Sequence, residues 1–112
     1  MKEIIYAGGT LLTGDAIADA LLDAAAALAE AQLAEPVDIP VVDAEGNRDM
    51  TSLLLGPASQ IVTRHAGGSG AELVDEGTIV KLGQLVARLR PVAATDDQGP
   101  TGPDIETDLD MT

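Results

Sequence analysis

The spacing of apolar residues predicts several short strands. Residues 3–7 are rich in β-branched and aromatic residues and end at a pair of glycines, so they predict a short buried strand. Residues 37–42 and 50–55 flank a run of turn-forming residues and predict a β-hairpin. Pro40 places the first hairpin strand at a sheet edge, or turns that position away from the ladder. Whether residues 59–64 add a further strand stays open on these grounds.

One long helix is predicted over residues 15–34, which contain neither Gly nor Pro. Thr13 is the expected N-cap, and Asp15 in the first turn interacts favourably with the positive end of the helix dipole. Pro36 prevents continuation. On a helical wheel, the face predicted to enter the core holds Ile17, Leu21, Ala24, Leu28 and Ala31.

Two other rows on this helix supply the candidate interaction residues. The row opposite the core face is acidic and consists of Asp15, Asp19, Asp23 and Glu30. A row on the flank is apolar throughout and consists of Ala18, Leu22, Ala25, Ala29 and Leu33. We expect either the second helix or a partner subunit to cover this flank, because its alanines allow close approach. The predicted interaction residues are therefore the acidic row together with Leu22 and Leu33.

A second helix is predicted over residues 75–89. Asp75 is its expected N-cap, in competition with a capping box formed by Ser69 and Glu72. The apolar residues of this helix share one face, and they are Ile79, Leu82, Leu85, Val86 and Leu89. Residues 91–112 hold six acids and no base, with several Gly and Pro residues, and predict a disordered acidic tail.

The order of these elements predicts the architecture. A strand, a helix, a hairpin, a further optional strand and a helix indicate one α+β domain over residues 1–90. We expect two layers, with both helices on one face of a small, mostly antiparallel sheet. If the first strand and the first hairpin strand are parallel neighbours, they form a right-handed crossover.

The composition of the chain limits its possible partners and its possible cellular compartment. The 112 residues include 19 acids and six bases, a formal net charge of −13, so we expect no direct binding of nucleic acid. There is no Cys, which removes disulfides, thiolate metal sites and cysteine nucleophiles. With no apolar run that could span a bilayer and no leader, a cytoplasmic protein without a membrane partner is expected. The excess of Ala and Asp is typical of a high-GC bacterium or a halophile.

Three motifs resemble known functional sites but lack residues that those sites require. Residues 9–14 have the spacing of a phosphate-binding loop, but Asp15 stands where the loop requires Lys. Residues 43–49 alternate oxygen ligands like a calcium loop, but the glycine and the bidentate glutamate of that loop are missing from their places. His65 is the only histidine and lies too near Ser69 in sequence to suggest a preorganised base. We therefore predict no catalytic, cofactor-binding or metal-binding residues and no cofactor.

Three classes of function remain. The leading hypothesis is a small acidic, non-catalytic protein-interaction module that self-associates, as a homodimer, through the flank of the first helix. The first alternative is an acidic decoy or inhibitor of a basic partner, such as an antitoxin, an immunity protein or a nucleic-acid mimic. The second alternative is a small enzyme that uses carboxylates.

Overall fold

The computed structural model describes residues 1–67 and 71–90 and has an α+β fold. In chain order the elements are β1 (Lys2–Tyr6), β2 (Gly9–Thr13), α1 (Asp15–Ala31), β3 (Glu35–Val42), β4 (Arg48–Leu55), β5 (Ile61–His65) and α2 (Glu76–Leu89). The strands form one sheet in the order β4-β3-β2-β1-β5, with antiparallel neighbours throughout. The predicted class of fold and the hairpin are confirmed, and β5 is the strand left open. Neither helix is long and apolar enough to cross a membrane, and the predicted tail over residues 91–112 lies outside the described residues.

The strand β2 was not predicted from the sequence. A two-residue turn at Ala7 and Gly8 joins it to β1, and the φ angles there are 52° and 82°. Two consecutive positive φ angles are the requirement of a type I′ hairpin turn. The glycine pair therefore reverses the chain, and Gly9 pairs with Tyr6. Because β2 lies between β1 and β3, the parallel crossover does not form.

The sheet has a seam between β2 and β3. These strands share one ladder position, Leu12 opposite Val42, whereas β3 and β4 pair along the whole of both strands. Pro36 and Pro40 lie in β3 and cannot donate a backbone hydrogen bond, which costs nothing on a side without a ladder. The Thr13 hydroxyl donates to the Pro40 carbonyl oxygen at 2.8 Å, in a buried position. Of the two predicted alternatives, the sheet edge is wrong, because β3 lies between β4 and β2, and the second is confirmed, because Pro40 lies where the ladder is interrupted.

The helix α1 supplies the centre of the core. Four residues of its predicted core face, Ile17, Leu21, Ala24 and Leu28, are fully buried. They pack with buried residues of the sheet, which include Ile4, Ile39, Val41, Leu53 and Leu55. The prediction for Ala31 is wrong, because Ala31 is exposed at the last turn of the helix. Gln32 has a φ of 58° and its N–H bonds back to Ala29, which ends α1 three residues earlier than predicted.

The helix α2 packs against α1 and completes the same core. Asp75 is its N-cap and accepts a hydrogen bond of 3.1 Å from the Thr78 backbone N–H, which confirms the predicted cap. Leu82 and Leu85 are buried, and the other three residues of the predicted apolar face pack partly buried against them. Ser69, the competing cap, lies outside the described residues.

The start of α1 differs from the prediction. Its N-cap is Gly14 rather than Thr13, because the Thr13 hydroxyl is bonded across the seam. Gly14 has no side chain to cap the helix, and the Glu72 carboxylate instead accepts the Asp15 backbone N–H. Residues 71–75, which we call the strap, therefore cross the beginning of α1. A Cβ at Gly14 would lie 1.8 Å from the Leu73 carbonyl oxygen, so only glycine fits beneath the strap.

Candidate interaction site

The predicted acidic row lies on the outer side of α1, and most of it pairs with cations of the same chain. The pairs join Asp15 to the Met1 amino group at 2.9 Å, Asp19 to Lys2 at 2.7 Å and Glu30 to Arg90 at 2.8 Å. Asp23 is exposed and carries no ion pair within residues 1–67 and 71–90. Exposed pairs of this kind contribute little stability. They do neutralise much of the charge that the sequence places on this face.

The Met1 amino group fastens the strap to α1. It lies 2.6 Å from Glu72 and 2.9 Å from Asp15. Hydrogen bonds with these carboxylates raise the pKa of the amino group, and the same bonds lower the pKa of both Glu72 and Asp15. The Thr78 N–H, followed by the Arg48 charge, lowers the pKa of Asp75 at the other end of the strap. These shifts accompany structural contacts that hold the strap.

The apolar flank row of α1 is divided by the fold. Ala18 is fully buried in the core, and Ala25 packs partly buried against it. Leu22 is half-buried. Leu33 lies beyond the end of the helix and is 48% exposed, next to Ala34. The two predicted interaction leucines therefore have different surroundings, and Leu33 directly precedes Ala34, which lines a separate feature.

That feature is a cleft of about 630 Å³, located between the β1/β2 turn, the β4/β5 loop and the segment after α1. Tyr6, Ser59 and Gln60 are its polar side chains, Gly8 and Gly56 contribute backbone, and its apolar lining consists of Ile5, Ala7, Ala34, Leu54, Pro57, Ala58 and Val62. None of the lining residues is charged. Its volume is in the range of ordinary ligand and side-chain sites. An uncharged lining of this kind suits apolar side chains of a partner.

Consecutive apolar residues in three strands build this lining. Successive side chains of a strand point to opposite faces, so a doublet or triplet must send one apolar residue away from the helices. The inward set is Ile4, Leu53, Leu55 and Ile61, and the outward set is Ile5, Leu54 and Val62. Ile5 and Val62 pair directly across the β1/β5 ladder. Leu54 and Val62 are 59% and 55% exposed.

Two of the three polar side chains in the cleft wall, Tyr6 and Ser59, form hydrogen bonds within the chain. The Tyr6 hydroxyl donates to the Leu54 carbonyl oxygen, which also accepts a 3.1 Å bond from the Ser59 hydroxyl. The Ser59 oxygen in turn accepts the Gly56 N–H at 3.0 Å. These bonds fix the end of β4 and the loop after it in place. The wall therefore presents preformed apolar surface, with the Tyr6 and Ser59 hydroxyls already hydrogen-bonded.

Three pairs of arginine and glutamate join distant parts of the described chain. They are Arg64 with Glu3 at 2.7 Å, Arg88 with Glu35 at 2.5 Å, and Arg90 with Glu30 at 2.8 Å. Arg64 is two residues beyond Val62 on the same strand face, and Glu35 directly follows Ala34. The pair of Arg64 and Glu3 thus lies on the strand face that carries Val62, whereas Arg88 and Glu35 line a separate pocket beside α2.

Two of the sequence motifs that resemble known sites have structural roles, and the third includes an exposed histidine. Most of the phosphate-loop spacing is occupied by β2. The Asp43 carboxylate accepts the backbone N–H groups of Glu45 and Asn47 and so closes the hairpin turn. His65 is exposed at the end of β5. In the described part of the chain, no three His, Asp or Glu side chains converge to hold a metal ion.

Comparison of the chain with models of protein families, with curated proteins and with solved structures found no match.

Proposed function

We propose that this chain is a non-catalytic protein-interaction module and that its partner binds in the cleft. The observation that carries the proposal is the concentration of exposed apolar surface around an uncharged cavity. Leu54 and Val62 are each more than half exposed there. A contiguous apolar surface around a concave site is typical of a place where another protein docks.

Most carboxylates of the acidic row already form ion pairs within the chain. We therefore favour a partner that binds through apolar contacts over one that binds through charge. A decoy for a basic protein needs free carboxylates in a regular array, since each one must replace a phosphate. On α1, Asp15, Asp19 and Glu30 already contact cations of their own chain. A basic partner would have to displace those cations, whereas an apolar partner meets no such competition at the cleft.

A capture experiment with a matched pair of variants tests the proposal. Val62 in the cleft and Val80 on α2 are 55% and 54% exposed, so Val62→Glu and Val80→Glu add the same charge at equal exposure. The tagged full chain and both variants are incubated with lysate of the source cell at about 50 mM and about 500 mM salt. Bound proteins are identified, purified and bound again to each variant.

We expect a partner that binds the wild type and Val80→Glu at both salt concentrations and fails to bind Val62→Glu. Apolar contacts survive high salt, while exposed ion pairs are screened. Equal binding by all three chains would contradict the proposal. Binding that disappears at high salt and is indifferent to Val62→Glu would instead support the acidic decoy.

A further inference from the structure

We infer that the free edge of β4 pairs with β4 of a second copy of this chain, antiparallel and about a two-fold axis at Met50, so that the two sheets join into one. The pairing residues are 48–52, which we call the free segment. None of them lines the cleft, so this inference is independent of the proposed function. It also differs from the homodimer expected from the sequence, because the flank of α1 takes no part.

The backbone groups of β4 divide into two sets by their direction. At the turn end of the hairpin, the Asp43 N–H donates to the Asn47 carbonyl oxygen at 2.9 Å. Bonded and non-bonded pairs alternate along an antiparallel ladder, so every second residue of β4 directs its N–H and C=O away from β3. Those residues are Arg48, Met50, Ser52 and Leu54. Pro36 and Pro40 lie opposite two of them, at positions that require no N–H from β3, which agrees with this division.

The edge of β4 is open over the free segment. β4 is the outermost strand on its side of the sheet, and within residues 1–67 and 71–90 no strand pairs with its outer edge. Arg48, Met50 and Ser52 are exposed. The Met50 N–H donates to the neighbouring Asp49 carboxylate at 2.8 Å, in an exposed bond that the carbonyl oxygen of a docking strand can replace.

Leu54 sets the limit of the free segment. Its carbonyl group points to the same edge of β4 but already accepts hydrogen bonds from the Tyr6 and Ser59 hydroxyls. A strand that docks on this edge therefore finds three open positions, 48, 50 and 52, with Met50 in the middle.

Little in the sequence of β4 protects this edge. Natural edge strands avoid pairing with other chains through shortness, bulges, prolines or charges. β4 has eight residues that pair with β3 without interruption, and residues 50–55 contain no charge, Pro or Gly. β5, at the other edge of the sheet, has only five residues and ends in Arg64 and His65. The edge of β4 is therefore the one suited to an extended strand.

Symmetry makes a second copy the matching strand. In a two-fold antiparallel pair about Met50, this residue lies opposite Met50 of the other copy, and Arg48 lies opposite Ser52. Each free N–H then meets a free C=O. The Met50 side chain, which is 55% exposed, is covered by its own copy. Arg48 comes beside Ser52 of the other copy, whose hydroxyl contacts Asp38, which brings a base towards an acid.

The charge around the free segment allows a second copy to approach. A pocket of about 390 Å³ beside Met50 is lined by two acids and two bases, which are Glu35, Asp38, Lys81 and Arg88. The free segment adds Arg48 and Asp49, and Arg48 contacts Asp75 at 2.6 Å. This surface therefore holds three bases and four acids, whereas the chain as a whole holds six and 19. The repulsion between two chains of net charge −13 is reduced at such a surface.

A charge swap at Met50 tests the inference by sedimentation equilibrium of the full chain at about 150 mM salt. We expect the wild type to show a monomer–dimer equilibrium. Met50→Lys and Met50→Glu should each lower the association constant about tenfold or more, because each places two like charges directly opposite each other. An equimolar mixture of the two variants should associate to within about threefold of the wild type, because unlike charges then face each other. This recovery requires a contact that pairs residue 50 with residue 50.

Leu54→Lys is the matched control. Leu54 lies on the same strand and is 59% exposed, against 55% for Met50, but it lies outside the free segment. Leu54→Lys should leave the association constant within about threefold of the wild type. Either lysine makes the net charge less negative, so general repulsion cannot explain a loss of association in Met50→Lys. Far-ultraviolet circular dichroism of each variant shows that the fold is retained.

Amide hydrogen exchange reports on the edge itself. The Ser52 N–H of the wild type should exchange more slowly at high than at low protein concentration, because in the dimer it donates to the Arg48 carbonyl oxygen of the other copy. This difference should be absent in Met50→Lys and present in Leu54→Lys.

Three outcomes would overturn the second copy as the docking strand. The first is a wild type that stays monomeric at high micromolar concentration. The second is a dimer that neither Met50 variant weakens, or that Leu22→Glu abolishes, which would assign the interface to another surface. The third is protection of the Ser52 N–H only after a different protein is added, which would assign the edge to a strand of that protein. Capture of a partner by the cleft is decided separately by Val62→Glu, so either proposal can fail without the other.

Discussion

Replacing Gly14 with alanine tests how closely the strap crosses the start of α1. Gly14 has a φ of −71° and a ψ of 156°, which alanine adopts freely, so the backbone conformation does not oppose the change. The obstacle is steric. The new Cβ would lie 1.8 Å from the carbonyl oxygen of Leu73 and 2.9 Å from its carbonyl carbon.

The cost follows from what holds Leu73 in place. Carbon and oxygen atoms normally approach to about 3.3 Å, so the strap would have to retreat by about 1.5 Å. Leu73 is buried in the core, and its N–H contacts the Met1 sulfur at 3.2 Å. The neighbouring Glu72 binds the Met1 amino group and the Asp15 N–H. Overpacking costs about 1–3 kcal/mol and sometimes more, and we expect a loss of about 3 kcal/mol because the strap is held on both sides.

The control is Gly83→Ala in the middle of α2. A Cβ there meets nothing within 4 Å, and the position is exposed. Alanine should stabilise this helix by about 0.8–1 kcal/mol. Both substitutions restrict the unfolded chain equally, so the difference between them reports the native state. Urea unfolding followed by circular dichroism gives both values. A Gly14→Ala protein as stable as the wild type would refute the crossing of the strap.

Three further predictions concern the core, the seam and acid. Leu28→Ala should lower the free energy of unfolding by about 2–5 kcal/mol in urea titrations, because Leu28 is fully buried in a core without large aromatics. Thr13→Val should cost about 1–3 kcal/mol in the same assay, because it leaves the buried Pro40 carbonyl without its partner. The pKa values of Glu72 and Asp75 are lowered by folding, so their contribution is complete above the unfolded-state values and is lost as the pH falls below about 4.5. Melting temperatures that stay flat between about pH 5 and about pH 3 would contradict that expectation.

Local sequence patterns were sufficient to predict most helices and strands. They failed where contacts between residues distant in the sequence determine the structure. Both helices and the strands β3 and β4 follow from periodicity, turn residues and caps. β2 was missed because a glycine pair can end a strand or reverse it, and the reversal depends on a positive φ at Ala7, which alanine seldom adopts. Thr13 was assigned to the wrong hydrogen bond because its partner, Pro40, is 27 residues away.

The candidate site illustrates the same division. The acidic row was read correctly as the outer face of α1, but Lys2 and Arg90, which pair with it, are 17 and 60 residues from their partners. No local sequence pattern indicates ion pairs between residues so far apart in the sequence. The outward apolar residues, in contrast, had a local signal, since an uninterrupted triplet such as Leu53 to Leu55 cannot face one side of a strand. Their convergence on one cleft required the fold.

The seam between β2 and β3 divides the sheet into two parts, which we call plates, and the same helices cover both. One plate is β1, β2 and β5, the other is β3 and β4, and core residues on both pack against the helices. Sliding of one plate past the other would break this one ladder position, the Thr13 bond and the bond from the Tyr6 hydroxyl to the Leu54 carbonyl oxygen, and it would disturb the core that both plates share. The cleft takes Ile5 and Val62 from the first plate and Leu54 from the second, so its walls belong to both plates. The width of the cleft therefore depends on the Tyr6 hydroxyl and on the helices that both plates contact more than on a strand ladder.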